Sequence, residues 1–246
     1  MSAVDESGKQ TILDTVSLKR YAVGDDTASF IPDGGVSMSR GSPQRTEARK
    51  EEILQACAAL YETKGFKEIT IKDIGEATTL TRTGIYLYFQ TKEEIFLELL
   101  AREYDAWVLE MREVMERNQR LSREEVAAAL ARTLTDHPRM LRLLSMNLFE
   151  MESNSRPERL TAFKVSFGAS LAAVEEMIRK YIPEWNDADR QRFLYAFFPF
   201  IYGIYPYTGV TEKQEAAMRE AGIPFAYQSA YELAYHCLLK LLEANA

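Results

Sequence analysis

The chain has little of what several protein classes require. Its two cysteines, Cys57 and Cys237, are too few for the disulfide framework of a small secreted domain; a single bridge is conceivable, but two reduced thiols in a cytosol are the favoured interpretation. Its two histidines, His137 and His236, have no cysteine or second histidine at metal-ligand spacing. We therefore predict neither a metal site nor a cofactor.

An excess of positive charge and a membrane-spanning run are also lacking. The net charge of −7 argues against coating nucleic acid or anionic membrane by bulk charge, although it does not exclude a local basic face. Residues 193–207 (FLYAFFPFIYGIYPY) are uncharged but number only fifteen, include Pro199 and Pro206, and fall short of the about 20 residues that span a bilayer. The polar N-terminus does not resemble a signal peptide. We expect a cytoplasmic protein without a membrane partner.

Enzyme signatures are equally scarce. The chain has no P-loop, no Gly-rich dinucleotide fingerprint and no G-x-S-x-G motif. Glu150 and Glu152 are two residues apart, so a helix would direct them to different faces. The sequence therefore does not predict an enzyme.

Helical periodicity dominates from Gln44 onward. Ile53, Cys57, Leu60 and Tyr61 have the i, i+4, i+7, i+8 spacing of an amphipathic helix. Strand-like alternation bounded by turn residues is absent, and the pattern predicts an all-α fold. Prolines and glycines divide the C-terminal part into expected helices near 138–154, 157–181, 186–207, 211–221 and 225–244.

Helix starts are closely spaced between residues 70 and 94. Thr70, Thr81 and Thr91 are each suited to cap a helix. Glu94 follows Thr91 by three residues, which predicts a capping box in which each side chain bonds the other's backbone amide. Two short helices joined by a tight turn are typical of a helix-turn-helix.

The second short helix has an unusual outward face. If Ile85 points inward, a rotation of 100° per residue brings Tyr88 and Phe89 to its side. The residues then directed outward are Thr83, Gly84, Tyr86 and Leu87. Contact with a DNA groove explains this face, because glycine permits close approach, threonine bonds a base edge or phosphate, tyrosine bonds a phosphate, and leucine meets a thymine methyl. A protein–protein surface or a generic helical corner remains the alternative.

Residues 45–100 resemble the DNA-binding domain of the TetR family of transcriptional regulators. The motifs that carry the resemblance are Arg49 with Ile53, Leu54 and Ala56; Gly65-Phe66; Thr70-Ile71-x-x-Ile74; the run TRTGIYLYF at 81–89; and Thr91-Lys92-Glu93-Glu94. The chain departs from the family pattern at Thr78-Thr79, where a small residue and glycine are usual, and at Gly75, where alanine is usual. These departures affect the expected geometry of the turn and the half-site preference.

The resemblance implies a homodimer that binds a pseudo-palindromic double-stranded DNA operator, usually as a repressor, and is released by a small-molecule effector. It assigns phosphate or sugar contacts to Arg45, Thr46, Thr70, Tyr86 and Lys92, and base contacts to Arg82, Thr83 and Leu87, with Gly84 allowing close approach. Charge agrees, since residues 40–92 carry nine Lys/Arg and seven Asp/Glu in a chain of net charge −7.

The remaining sequence suggests three regions: a flexible N-terminal tail (1–44), the helix-turn-helix domain (45–92), and a helical ligand-binding and dimerisation domain (93–246). Eight of the 27 aromatic residues lie within 193–207, where Pro199 removes a helix amide. An aromatic interior suits a mainly apolar or aromatic ligand, although a dense core explains any single residue equally well. The candidate ligand-binding residues are Asn147, Glu150, Phe163, Phe167, Phe198 and Tyr202.

The last helix carries apolar residues in a 4-3-4-3 spacing, which is typical of a coiled-coil seam and predicts a dimer interface. These residues are Tyr227, Tyr231, Ala234, Leu238 and Leu241. A rival hypothesis is a helical small-molecule binding protein or enzyme that does not use its helix-turn-helix; salt-dependent, sequence-selective DNA binding would distinguish the two.

Overall fold

A computed structural model of the chain describes residues 42–146 and 148–243. Throughout these ranges the only regular elements are helices, which confirms the predicted all-α class. The helices are α1 (Pro43–Thr63), α2 (Ile71–Glu76), α3 (Arg82–Tyr86), α4 (Lys92–Arg117), α5 (Arg123–Thr135), α6 (Pro138–Leu144), α7 (Leu148–Ser153), α8 (Pro157–Tyr181), α9 (Asp187–Thr208), α10 (Glu212–Glu220) and α11 (Ala230–Glu243).

Two expected helix boundaries were wrong. The helix expected near 138–154 is divided into α6 and α7, and Ser145 ends α6 by donating its hydroxyl to the Arg142 carbonyl at 2.7 Å. The last helix begins at Ala230 rather than near 225, because Ser229 and Glu232 exchange side-chain-to-backbone hydrogen bonds at its start. Residues 1–41 of the tail expected at 1–44 lie outside the described ranges, and the expected boundary at 44 falls inside α1, which already begins at Pro43.

The core is organised around α4, which packs against α1, α5, α6, α7 and α8. Trp107 of α4 is fully buried, and its indole N–H donates to the Thr133 hydroxyl at 3.0 Å. Both cysteines are free thiols, and burial raises the pKa of Cys57 to about 12, so this thiol stays protonated at neutral pH. None of the helices within the described ranges combines the length and apolarity needed to cross a membrane.

The predicted seam of α11 is only partly available to a second subunit. Ala234 and Leu238 are fully buried within the chain, in a helix that packs on α5 and α9, so assigning them to a dimer interface was wrong. The 4-3-4-3 spacing identified an apolar face correctly, but that face is covered by the chain's own helices. Tyr231 and Leu241 are half-buried, and Tyr227 lies before the helix with 41% of its surface exposed.

Candidate DNA-binding surface and effector site

Local hydrogen bonds and apolar contacts set the geometry of α2 and α3. Thr70 and Asp73 form a capping box at the start of α2, with the Thr70 amide donating to the Asp73 carboxylate at 2.8 Å. The Thr70 hydrogen bonds, followed by the one from Lys64, lower the pKa of Asp73 to about 2. Thr81 caps α3 by accepting from the Gly84 amide at 3.1 Å. Ile74 and Ile85 are fully buried, which holds the two helices together.

The outward face predicted for α3 is confirmed. Leu87 is 80% exposed and Tyr86 is 41% exposed, while Ile85 and Phe89 are completely buried. Together with Tyr86 and Leu87, the exposed or half-buried residues Arg82, Thr83 and Gly84 form a continuous surface, here named the recognition surface. A leucine this exposed beside a tyrosine has no packing role within the described chain, as expected for a face that meets another molecule.

Arg82 and Tyr86 are joined on the recognition surface. The Arg82 guanidinium donates to the Tyr86 hydroxyl at 3.2 Å from Nη2, and its carbon lies 5.7 Å from the centre of the tyrosine ring. The hydroxyl therefore accepts from arginine and retains its own proton for an outside acceptor such as a phosphate oxygen. The pair also presents a positive charge on an otherwise neutral helix.

The turn between α2 and α3 is held from α1. Glu52 accepts the Thr79 backbone amide, and Arg49 donates to the Thr79 hydroxyl at 2.6 Å and to Glu52 at 2.8 Å. The Thr79 hydrogen bonds, followed by the one from Arg49, lower the pKa of Glu52. Among the described residues, only Gly222 has a positive φ. The turn at Thr78-Thr79 therefore forms without the glycine that is usual there in the TetR family. A Cβ added at Gly75 would meet Ile85 Cδ1 at an ordinary 3.7 Å, so the alanine usual there would also fit.

The remaining predicted DNA contacts lie at the N-terminal ends of α1 (Arg45 and Thr46), α2 (Thr70) and α4 (Lys92). Arg45 is exposed and Thr46 half-buried in the first turn of α1, where Ser42 accepts the Arg45 amide at 3.3 Å. Lys92 instead directs its ammonium group inward, donating to the carbonyls of Phe66 at 2.8 Å and Ile69 at 3.1 Å. Two of its three N–H groups are thus used within the chain, and a phosphate contact from Lys92 stays a prediction.

Five aromatic side chains from three helices form one cluster within α4–α11, which are here named the C-terminal body. Their ring centres are 5.6–6.5 Å apart between contacting pairs, which is the usual range for packed aromatic rings. The members of this aromatic cluster are Tyr104 and Trp107 of α4, Phe163 and Phe167 of α8, and Phe198 of α9. The structure therefore brings three of the six candidate ligand-binding residues together.

The other three candidates have different outcomes. Tyr202 is half-buried beside the cluster, and burial raises its pKa. Glu150 is exposed on α7, so its assignment to the interior was wrong. Asn147 lies outside the described residues.

Tyr104 is a residue that the sequence patterns did not identify as part of a site. Its side chain is fully buried in the aromatic cluster, and its hydroxyl has no hydrogen-bond partner among the described residues. Burial raises the pKa of Tyr104 well above its ordinary value, and the neighbouring Tyr202 hydroxyl adds to this. An unpaired buried hydroxyl costs about 1–3 kcal/mol, so a polar ligand atom there would recover part of that cost.

The first turn of α4 differs from the predicted capping box. Thr91 accepts the Glu94 amide at 3.2 Å as expected, but the Glu94 carboxylate turns to Arg156, just before α8. Arg156 donates to it from Nε at 2.7 Å, from Nη2 at 2.8 Å and from its backbone N at 3.1 Å, and Gln90 donates its backbone N–H at 2.8 Å. Burial by itself raises the pKa of Glu94, but these hydrogen bonds outweigh it and the pKa is lowered.

A second arginine joins the body to α1. Arg142 of α6 donates to the backbone carbonyls of Tyr61 and Lys64, the latter at 3.0 Å, and lies 4.2 Å from the centre of the Tyr61 ring. The Tyr61 hydroxyl returns a hydrogen bond to the Arg142 carbonyl at 3.3 Å. The C-terminal end of α1 is thereby capped by a cation from the body.

Comparison with known proteins yields two family models that together span most of the described chain. A model described as "Bacterial regulatory proteins, tetR family" matches residues 53–99, and one described as "Tetracyclin repressor-like, C-terminal domain" matches residues 101–239. An uncharacterized HTH-type transcriptional regulator, YfiR of Bacillus subtilis (strain 168), is 36% identical over 62 residues, covering 25% of this chain and 30% of that protein. The chain thus spans about a third of the length of that relative.

Solved structures share the fold at low identity. The transcriptional regulator FadR from Bacillus subtilis, in complex with stearoyl-CoA, aligns with a TM-score of 0.52 at 16% identity, covering 78% of this chain and 97% of that one. Thermus thermophilus FadR, a transcriptional repressor in complex with lauroyl-CoA, aligns with a TM-score of 0.52 at 18% identity over 80% and 95% of the two chains.

Proposed function

This chain belongs to the TetR family of transcriptional regulators, and we propose that it binds an operator as a dimer, represses transcription, and is released by a small-molecule effector. The observation that carries the proposal is the recognition surface, where Thr83, Gly84 and Leu87 lie beside the Arg82–Tyr86 pair, which carries the only charge of α3. Such a surface suits a major groove, in which base edges and thymine methyl groups are accessible. We propose a role as a cytoplasmic regulator rather than an enzyme.

The proposed contacts follow the chemistry of each side chain. Arg82, Thr83 and Leu87 would read bases, and Gly84 would allow the backbone to approach closely. Phosphate or sugar contacts would come from Arg45, Thr46, Thr70, Tyr86 and Lys92. We propose a DNA-binding domain at 45–92 and a ligand-binding and dimerisation domain from residue 93, with α4 running from one into the other.

A homodimer would align two recognition surfaces with successive major grooves, about 34–36 Å apart on DNA. We propose that the partner covers the outer sides of α9 and α11 and the segment between them, including Tyr227, Tyr231 and Leu241. Exposed aromatic groups support this proposal: Tyr207 is 64% exposed and Phe225 is 48% exposed. Sedimentation equilibrium of the full chain tests it, and a monomer at micromolar concentration would contradict it.

We propose a mainly apolar effector with one polar group, such as a long-chain acyl thioester. Phe163, Phe167 and Phe198 supply an apolar lining, and the Tyr104 hydroxyl supplies a donor for a carbonyl oxygen. The two structural relatives that bind acyl-CoA suggest stearoyl-CoA and lauroyl-CoA as probes. Because the rings are in contact, a ligand would have to separate them and shift α8 relative to α4.

Selection from a random double-stranded DNA pool tests the proposed function directly. We expect a pseudo-palindromic consensus whose binding weakens steeply with salt, as phosphate neutralisation requires. Recovery of no consensus, together with tight binding of an acyl-CoA, would instead favour a helical binding protein that does not use its helix-turn-helix.

Two substitutions distinguish the proposed phosphate contact of Tyr86 from the proposed base contact of Thr83. Tyr86→Phe removes the proposed phosphate donor, and we expect affinity for every DNA sequence to fall by a similar factor of about 5–10. Thr83→Ala is expected to relax preference at one base position of each half-site while leaving the other positions unchanged. Anisotropy titrations on the selected operator and its single-base variants measure both effects. A sequence-dependent loss in the tyrosine variant would contradict the assignment.

Tyr104→Phe tests whether the Tyr104 hydroxyl binds the effector. Because the hydroxyl is buried without a partner among the described residues, we expect its removal to leave the unfolding free energy unchanged or slightly higher. Affinity for stearoyl-CoA or lauroyl-CoA, measured by calorimetry, is expected to fall about tenfold. Tyr195→Phe is the matched control, because Tyr195 is 70% exposed on α9 and should affect neither quantity. Equal acyl-CoA affinity in wild type and Tyr104→Phe would eliminate Tyr104 as a ligand contact.

A further inference from the structure

One carbonyl group after α3, that of Tyr88, receives hydrogen bonds from the start of α8. The Tyr88 carbonyl accepts Nη2 of Arg159 at 2.9 Å and Nη2 of Arg156 at 3.3 Å, across 71 and 68 residues of sequence. Tyr88 follows directly on the recognition surface, and its own amide donates to Ile85 at 2.9 Å. Tyr88 lies two residues past Tyr86, the last residue of α3, so the two arginines bind the turn that directly follows α3, which is here called the recognition helix.

The Arg159 guanidinium also contacts Phe89 and Glu98. Its guanidinium lies 4.9 Å from the centre of the buried Phe89 ring, and Nη1 is 3.6 Å from Glu98 of α4. A planar guanidinium can stack on a ring while it donates hydrogen bonds in its own plane, which a lysine cannot do. Arg159 thus holds the backbone and the inward aromatic residue of the recognition helix at the same time.

The same face of α8 reaches the aromatic cluster. Phe163 and Phe167 follow Arg159 by four and eight residues, so the three side chains lie on one side of the helix. At a rise of 1.5 Å per residue, Phe167 is about 12 Å from Arg159 along the axis. A displacement of α8 at the cluster would therefore move the arginines that bind the turn after the recognition helix.

We propose that Arg159, with Arg156 beside it, is a positioning residue that couples the aromatic cluster to the recognition helix through α8. This inference rests on the proposed DNA-binding function. In the DNA-competent state, Arg159 caps Tyr88 and orients the recognition surface. A shift of α8 withdraws the cap and favours the state with lower operator affinity.

Arg159→Gln is the decisive variant. Because Arg159 is directed at Tyr88 rather than at the recognition surface, we expect its loss to lower the ratio of operator to scrambled-duplex affinity about tenfold, the effect of one charge-assisted hydrogen bond. The slope of affinity against salt should stay unchanged, since no phosphate contact is lost. Arg159→Lys retains one donor and is expected to recover part of the ratio. Arg179→Gln is the control, because Arg179 lies on α8 and, among the described residues, pairs with Glu175 of the same helix.

Hydrogen exchange supplies a second readout, which a purely structural role would not change. By linkage, operator binding should slow amide exchange in residues 157–167 of the wild-type chain. In Arg159→Gln saturated with operator, we expect that slowing to disappear, whereas Arg179→Gln should keep it. An affinity ratio and an exchange pattern equal to wild type in Arg159→Gln would overturn the proposal, as would wild-type exchange in 157–167 that does not respond to operator. A wild-type chain that selects no DNA at all would instead refute the proposed function.

Discussion

Arg156→Met is expected to lower the free energy of unfolding by about 3–5 kcal/mol at pH 7, the usual cost of leaving a buried charge without its partner. The Glu94 side chain is completely buried, and the Arg156 side chain supplies two of the four hydrogen bonds described for its carboxylate; the other two come from the backbone N–H groups of Arg156 and Gln90 and remain in the variant. Methionine fills a similar volume but donates nothing from its side chain. Urea denaturation of both chains at pH 7 measures the difference.

The pH dependence of the stability difference between wild type and Arg156→Met tests whether the Glu94 carboxylate causes that difference. In the wild type the pKa of Glu94 is lowered, so its contribution to stability is present above the unfolded value near 4.5 and is lost as pH falls through the folded pKa. Without the Arg156 side chain, burial dominates and the pKa of Glu94 should rise above 4.5. The stability difference between the two chains should therefore shrink as pH falls below 5. A difference that is constant from pH 7 to pH 4 would contradict this explanation.

Two further variants separate the buried charge from other effects. Arg179→Met removes an arginine of α8 that is 62% exposed and paired with Glu175, and we expect a loss below about 1 kcal/mol. Combining Glu94→Met with Arg156→Met replaces the whole pair by apolar side chains, which should restore most of the stability. If the double variant is as unstable as Arg156→Met, the loss comes from packing rather than from an unpaired charge.

Phe163→Ala is expected to lower the free energy of unfolding by a comparable amount, because it leaves a cavity in the core. Phe163 is 2% exposed and contacts the rings of Tyr104 and Phe167 with centre distances of 6.1 and 6.4 Å. Replacing a buried phenylalanine by alanine removes its transfer free energy and leaves a cavity, and costs about 3–5 kcal/mol. Thermal and urea unfolding of the variant measure this loss.

Phe149→Ala is the matched control, because Phe149 on α7 is 81% exposed and its removal should cost less than about 0.5 kcal/mol. The comparison also bears on the effector site. If an acyl-CoA binds among the rings, the cavity variant should be stabilised by saturating ligand at least as much as wild type. A loss below 1 kcal/mol for Phe163→Ala would show that this ring does not belong to the core.

Much of the helix-turn-helix was predictable because its determinants are local. Thr70 and Thr81 bond backbone amides three residues later, and Ile85 is buried with its neighbours at helical spacing. Interactions over three or four residues can be recognised in a linear pattern, since the helix repeat brings those positions together. The outward direction of Thr83 and Leu87 follows from the same repeat.

Only the tertiary structure decided which hydrogen bonds and apolar contacts form between residues that are far apart in sequence. Glu94 has a suitable amide three residues before it, yet it binds Arg156, 62 residues away, because a bidentate arginine in a buried place stabilises a carboxylate more than one amide does. Lys92 faces carbonyls rather than solvent for the same reason, as the folded chain offers acceptors that no local pattern predicts. An apolar spacing such as that of Ala234 and Leu238 specifies that a face must be covered, but whether the chain or a second copy covers it depends on helices distant in sequence.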